Sequence, residues 1–123
     1  MSEESEPNFY LTSREVNESD RAHARRFGYG IFGKYDEEAR SVVVEKLRGK
    51  NVYFVDDESG FFDFIPNELR QGGAIVTVFD SAEAALKAMR EQRPDVVVSD
   101  ITLGPGLSGW QFAMAWDKLA STN

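Results

Sequence analysis

Three aspartates carry the clearest chemical signal in this sequence. Asp56 and Asp57 directly follow the apolar run Asn51-Val52-Tyr53-Phe54-Val55, and Asp100 directly follows Val96-Val97-Val98-Ser99. Both runs read as β-strands. Ligand sites in open α/β sheets lie beyond the carboxyl ends of the strands, where the strand order reverses. If the two strands are neighbours, three carboxylates meet in one pocket, where they repel each other unless a proton or a cation intervenes. Hard oxygen donors suit Mg²⁺, which keeps several waters and binds phosphate oxygens. A carboxylate held beside such an ion can attack a phosphoryl group and become an aspartyl phosphate. An aspartate closing one strand is commonplace, because Asp favours turns and helix caps. The doublet, the single aspartate and the glycine-rich stretch from Gly104 to Gly109 together point further.

The elements that must position these residues are regular from residue 51 onward. Ala74–Phe79 forms a second apolar run. A helix is predicted from 59 to 71, with Pro66 tolerated only near its start. Asp80 is placed as the cap of a helix to about Gln92, with Ala82, Ala85, Leu86 and Met89 on one face and Glu83 at capping-box spacing. Pro94 separates this helix from the third strand, and a last helix runs from Trp110 to Leu119. Strand and helix alternate, which implies parallel strands with right-handed crossovers. Apolar runs such as AIVTVF and VVV fit a sheet covered on both faces.

The first 50 residues read differently. Residues 1–12 have the composition of a loose acidic tail. Residues 13–27 predict a short helix opening at Ser13 or Ser19. The glycine- and aromatic-rich segment 27–35 reads as a loop. A second helix follows from 37 to 48, capped by Asp36 and stopped by Gly49. Gly28, Gly30 and Gly33 spell a G-x-G-x-x-G pattern, but no strand precedes it, and Tyr35 stands where a P-loop needs Ser or Thr. His23, the only histidine, has no partner set of a metal or phosphotransfer site.

Composition narrows the function classes. There are no cysteines, so a disulfide scaffold and a Cys-ligated zinc site are excluded. No apolar run reaches membrane-spanning length, and the acidic start is unlike a signal peptide, which makes a soluble cytoplasmic protein without a membrane partner the expectation. Residues 51–123 hold 5 Lys/Arg against 11 Asp/Glu, a net of −6, while residues 1–50 hold 9 against 10, a net of −1. The acidic part is a poor surface for nucleic acid. Arg21, Arg25, Arg26 and Lys34, interleaved with Phe27, Tyr29, Phe32 and Tyr35, leave nucleic-acid binding as a remote alternative.

The run Val52-Tyr53-Phe54-Val55-Asp56-Asp57-Glu58 resembles the acidic opening of response-regulator receiver domains. Ala84-Ala85-Leu86 after Asp80-Ser81 resembles their second helix. Arg93 through Leu103 resembles the run into their phospho-acceptor, and Gly104-Pro105-Gly106-Leu107-Ser108-Gly109 the loop after it. The resemblance implies a flavodoxin-like (CheY-like) parallel sheet. By position it implies that Asp100 accepts the phosphoryl group, that Asp57 binds Mg²⁺ directly with Asp56 alongside, and that the backbone of Thr102 helps complete the metal shell. It also implies a histidine kinase or another signalling protein as partner, and a switch rather than an enzyme.

A full receiver continues with two more strand–helix units, one carrying a Ser/Thr and the next a Lys that contact the phosphoryl group. Only 23 residues follow Asp100. The expectation is therefore a truncated, partial sheet of three strands over residues 51–121, behind a mainly helical N-terminal extension over residues 1–50. Its third strand would keep an open edge, to be covered by a second copy in a homodimer, by residues 1–50, or by a heteromeric partner. Without the Ser/Thr and the Lys, a phosphorylation-independent pseudo-receiver adaptor becomes the alternative to a phospho-acceptor in a two-component phosphorelay.

Overall fold

The computed structural model describes residues 6–57 and 64–121. Five strands and five helices alternate: β1 (Phe9–Ser13), α1 (Glu18–Phe27), β2 (Gly30–Gly33), α2 (Glu37–Lys46), β3 (Asn51–Val55), α3 (Phe64–Gln71), β4 (Ile75–Phe79), α4 (Ala82–Met89), β5 (Val96–Asp100) and α5 (Gly109–Ser121). All pairings are parallel, and the sheet runs β2-β1-β5-β3-β4. The expected three-stranded partial sheet is thus corrected to five strands. Residues 1–50 do carry two helices, α1 and α2, but residues 9–33 also supply two strands to the same sheet, where the sequence reads as a tail and a loop.

The order of the strands explains the discrepancy. Counted from β3, the strands β3, β4, β5, β1, β2 become one to five, and the sheet reads 2-1-3-4-5, the flavodoxin-like order. The fourth and fifth units are present, but they precede the first in the chain: the connectivity is circularly permuted. The turn from Leu47 to Asn51 makes the join. There Lys50 N–H donates to Leu47 O at 3.0 Å and Gly49 N–H to Gly73 O at 3.0 Å.

The open edge expected on β5 does not exist. Val96–Ser99 pairs with β3 on one side, and Val97–Asp100 pairs with β1 on the other. Of the three covers that such an edge called for, the chain's own residues 9–12 provide it, and no second copy is needed for that purpose.

Each face of the sheet has its own core. On one, Phe9, Leu11, Val55 and Val97 pack with Ala24 of α1, Ala82, Ala85 and Met89 of α4, and Phe112, Ala113 and Trp116 of α5. On the other, Tyr10, Phe32, Val52, Phe54, Val76, Val96 and Val98 pack with Val43 of α2, with Leu47 just after it, and with Ile65 and Leu69 of α3. Alternate residues of β1 therefore feed opposite cores, which is why FYLT lacks the apolar–polar alternation of a half-exposed strand. Phe9 and Leu11 are fully buried, as are Val97 and Val98.

Local signals set the helix bounds. Asn17, not Ser13 or Ser19, caps α1: its side chain accepts from Asp20 N–H, and the Asp20 carboxylate accepts from Asn17 N–H. Asp36 caps α2 as expected, accepting from Ala39 N–H at 3.1 Å. Ser81 rather than Asp80 caps α4, accepting from Ala84 N–H, so Glu83 does not complete a capping box. Pro66 falls in the first turn of α3, where its missing N–H has no helical partner to lose. The predicted helical residues 59–63 lie outside the described residues. Among the described residues, no helix is long and apolar enough to cross a membrane.

Candidate functional site

The carboxyl ends of β1, β5 and β3 meet at one end of the sheet, with the residue after β2 beside them. Asp56 immediately follows β3, and its N–H donates to Phe79 O at 3.1 Å. Its side chain is 2% exposed. Asp57, one residue on, is exposed. Asp100 ends β5, and its Oδ1 accepts from Thr102 N–H at 3.1 Å.

Lys34, the residue after β2, reaches into this group. Its Nζ lies 3.3 Å from Asp56 Oδ2 and 3.5 Å from Asp100 Oδ2. One ammonium thus bridges two carboxylates in a poorly hydrated place, with its side chain 12% exposed and that of Asp100 14%. Burial pushes the Asp100 carboxyl up from its ordinary value, opposed by Thr102 N–H and by Lys34 and reinforced by the charge of Asp56.

The backbone at this end is tied strand to strand. Lys34 N–H donates to Ser13 O at 2.7 Å, and Ile101 N–H donates to Thr12 O at 2.9 Å. Thr12 is the register partner of Asp100, so the two side chains lie on the same face of neighbouring strands. Its hydroxyl is buried and has no hydrogen-bond partner among the described residues. A buried hydroxyl without a partner is uncommon and calls for a reason.

Ser13, Arg14, Lys34, Asp57, Asp100, Thr102 and Gly104 line one open cavity of about 220 Å³. Gly104 has φ +72°, a backbone conformation that favours glycine, and a Cβ there would come within 2.6 Å of Asp57 Oδ2 and push that carboxylate aside. A larger cavity of about 310 Å³ lies between α2 and α3. The chemistry belongs to the smaller one, because the carboxylates and the ammonium converge there.

The structure thus brings together all four residues singled out from the sequence. Asp57, Asp100 and Thr102 face the cavity, while Asp56 sits behind them against Lys34. Among the described residues, no three His, Cys, Asp or Glu side chains form a ready-made metal cage. Two carboxylates on an open cavity, with a backbone segment beside them, nevertheless suit Mg²⁺, which keeps most of its waters.

Sequence reasoning missed Lys34 and Thr12. The resemblance points to a Ser/Thr and a Lys only after Asp100, whereas the hydroxyl and the ammonium beside Asp100 come from Thr12 in β1 and from Lys34 just after β2. The Arg/aromatic segment is dispersed by the fold: Phe32 and Tyr29 are buried, Lys34 enters the site, and His23 packs against Phe27 and Trp110 with centroids 5.0 and 4.2 Å away. The glycines of the G-x-G-x-x-G pattern form no phosphate loop. Gly28 caps α1, and Gly30 leaves room for the Tyr10 ring, which a Cβ would strike.

This fold and site define a receiver-type α/β module, and comparison with known proteins agrees. The chain belongs to the response regulator receiver domain family, whose model matches residues 52–122. The match covers β3 to α5, and the units before it are placed by the sheet alone. The chain is similar to the transcriptional regulatory protein CreB of Escherichia coli, with 35% identity over 65 residues, 53% of this chain and 28% of that protein. It is also similar to the probable transcriptional regulatory protein TcrX of Mycobacterium tuberculosis, with 41% identity over 58 residues, 47% of this chain and 24% of that protein. The chain therefore matches about a quarter of the length of these curated relatives. No solved structure matches it significantly.

Proposed function

We propose that this protein is a phosphoryl-accepting switch of two-component signalling, acting in the cytoplasm, with Asp100 as the acceptor and a histidine kinase as the donor. The observation that carries this reading is the Lys34 ammonium set between Asp56 and Asp100, 3.3 and 3.5 Å away. The resemblance to receivers calls for a lysine there, and only the permuted order supplies it.

Asp57 and Asp100, with the Thr102 backbone and with Asp56 alongside, would hold Mg²⁺, which when bound neutralises charge on the transferring group. The Asp100 carboxylate attacks the phosphorus, and the bond to the donor nitrogen or oxygen breaks. Lys34 offers its ammonium to one phosphoryl oxygen, and the Thr12 hydroxyl, which has no hydrogen-bond partner among the described residues, can donate to another. Nothing in this role requires turnover, so the protein acts as a switch rather than an enzyme. Thr12 and Lys34 lie beside Asp100, where a receiver needs a Ser/Thr and a Lys, and this favours the acceptor reading over a pseudo-receiver adaptor.

Incubation with acetyl phosphate and Mg²⁺, read by intact mass, should add one phosphoryl group to the wild type and none to Asp100→Asn. Beryllofluoride with Mg²⁺ should shift resonances around Lys34 and Thr12. A folded sample that responds to neither reagent rules the reading out.

A further inference from the structure

A flexible side chain such as Lys34 holds its place only if its backbone does. Lys34 belongs to no regular element, lying between the end of β2 and the cap of α2. Its N–H is tied to Ser13 O. Its carbonyl is tied elsewhere, to Arg40 on α2, whose Nη1 donates to Lys34 O at 3.1 Å.

Arg40 is itself firmly held. Its Nε donates to Glu68 Oε1 at 2.8 Å and its Nη2 to Glu68 Oε2 at 3.2 Å, a bidentate pair from α2 to α3. The guanidinium lies 4.8 Å from the centre of the Phe64 ring. The side chain is 13% exposed, which limits screening by solvent. Yet Arg40 does not line the carboxylate cavity. Each of its three nitrogens donates, two to Glu68 of α3 and one to the Lys34 carbonyl, a geometry that lysine cannot reproduce.

We propose that Arg40 is a positioning residue: by anchoring the Lys34 carbonyl to Glu68 of α3, it sets the Lys34 ammonium between Asp56 and Asp100. The functional consequence rests on the phosphoryl-acceptor reading above, whereas the anchoring is a property of the free protein. The anchor also crosses the permuted join, linking the helix before Asn51 to the helix after it.

The test uses the full chain with Arg40→Lys and with the charge swap R40E/E68R. The swap can restore the α2–α3 ion pair, but a glutamate at position 40 has nothing to donate to the Lys34 carbonyl. If the swap fails to fold, Arg40→Lys decides. In the free protein, the Lys34 side-chain resonances should move toward those of exposed lysines in both variants. Beryllofluoride affinity in Mg²⁺ should fall about tenfold, the effect of losing one charge-assisted hydrogen bond. Affinity for Mg²⁺ alone should stay within about twofold, which a general loosening of the site would not allow. Folded variants that keep both the Lys34 resonances and the beryllofluoride affinity overturn the proposal. If the wild type ignores beryllofluoride while the Lys34 resonances still move in the variants, the phosphoryl-acceptor reading fails and the anchoring stands. If neither occurs, both fall.

Discussion

Phe9→Ala tests whether the segment before residue 51 is part of the fold or an attachment to it. The Phe9 ring is 0% exposed, meets Phe112 edge-on with centroids 5.2 Å apart, and lies 5.8 Å from the Tyr29 ring. Its backbone pairs with Val97 of the central strand. Truncating a fully buried phenylalanine removes its transfer free energy and leaves a cavity that rigid neighbours fill poorly, a loss of about 4 kcal/mol. A domain of 123 residues has roughly 6–18 kcal/mol in total, so the variant should fold but be markedly weakened. Urea unfolding followed by far-UV circular dichroism and by tryptophan fluorescence gives the measure. Trp116 is a suitable probe, because its Nε1–H donates to Asn8 Oδ1 at 3.1 Å, next to the altered residue. With a slope of about 2 kcal/mol/M, the midpoint should drop by about 2 M while the slope holds and both probes trace one transition. A loss below about 1 kcal/mol, or two separate transitions, would refute the reasoning, since either would mean that β1 docks on a core complete without it.

Lys34→Ala should abolish the response to acetyl phosphate and weaken the metal-free protein by about 3 kcal/mol at neutral pH, because it strands two poorly hydrated carboxylates; added Mg²⁺ should recover part of that loss in thermal melts. Asp100→Asn should do the opposite to stability. The Asp100 carboxyl titrates above its unfolded value, so its favourable contribution is complete below the unfolded pKa and is lost as pH rises through the folded one. The variant should therefore melt higher than wild type at pH 7, with the difference closing as pH falls into the carboxyl range. Gly104→Ala places a Cβ against Asp57 at φ +72° and should lower Mg²⁺ affinity at least about tenfold and stability by about 1–2 kcal/mol, read by metal titration and by urea unfolding. A rearranged chain that carries residues 8–48 after Ser121, through a short flexible linker, should refold to the same sheet in the serial order. Its amide spectrum should match that of the parent away from the new joints.

How much of this was legible depended on how locally each element declares itself. β3, β4 and β5 are runs of β-branched residues between turn signals, and their order and the aspartates that end them could be read directly. The cap of α2 at Asp36 was equally plain. β1 and β2 were not. Phe9–Ser13 follows an acidic segment and serves both cores, so it shows no periodicity of two. Gly30–Gly33 is four residues bounded by glycines, which read as punctuation. Gly30 is a glycine because the Tyr10 ring fills the space, a fact that exists only once the strands pair. The role of Lys34 was hidden for the same reason: the acidic residues beside it in sequence, Asp36, Glu37 and Glu38, belong to the start of α2, and the carboxylates it meets in the site lie 22 and 66 residues away. Glu83 shows the limit of spacing rules. It stands at capping-box spacing from Asp80, yet Ser81 is the cap, and the Glu83 carboxylate accepts from Leu107 N–H at 3.2 Å in the loop after Asp100.

The permuted order also has a consequence in time. β1 is translated well before its partner on the acceptor side, the stretch from Val97 to Asp100. At about 5–20 residues per second, the ribosome needs roughly 4–18 s to span that interval. Throughout it, Phe9, Tyr10 and Leu11 can pair only with β2, and the Lys34 ammonium waits for carboxylates not yet made. Closing the sheet then requires contacts across most of the chain, the kind of topology that slows folding. The nascent chain before β5 is made, rather than the finished protein, is where the acceptor-side edge of an apolar strand is exposed and where a chaperone would find its target.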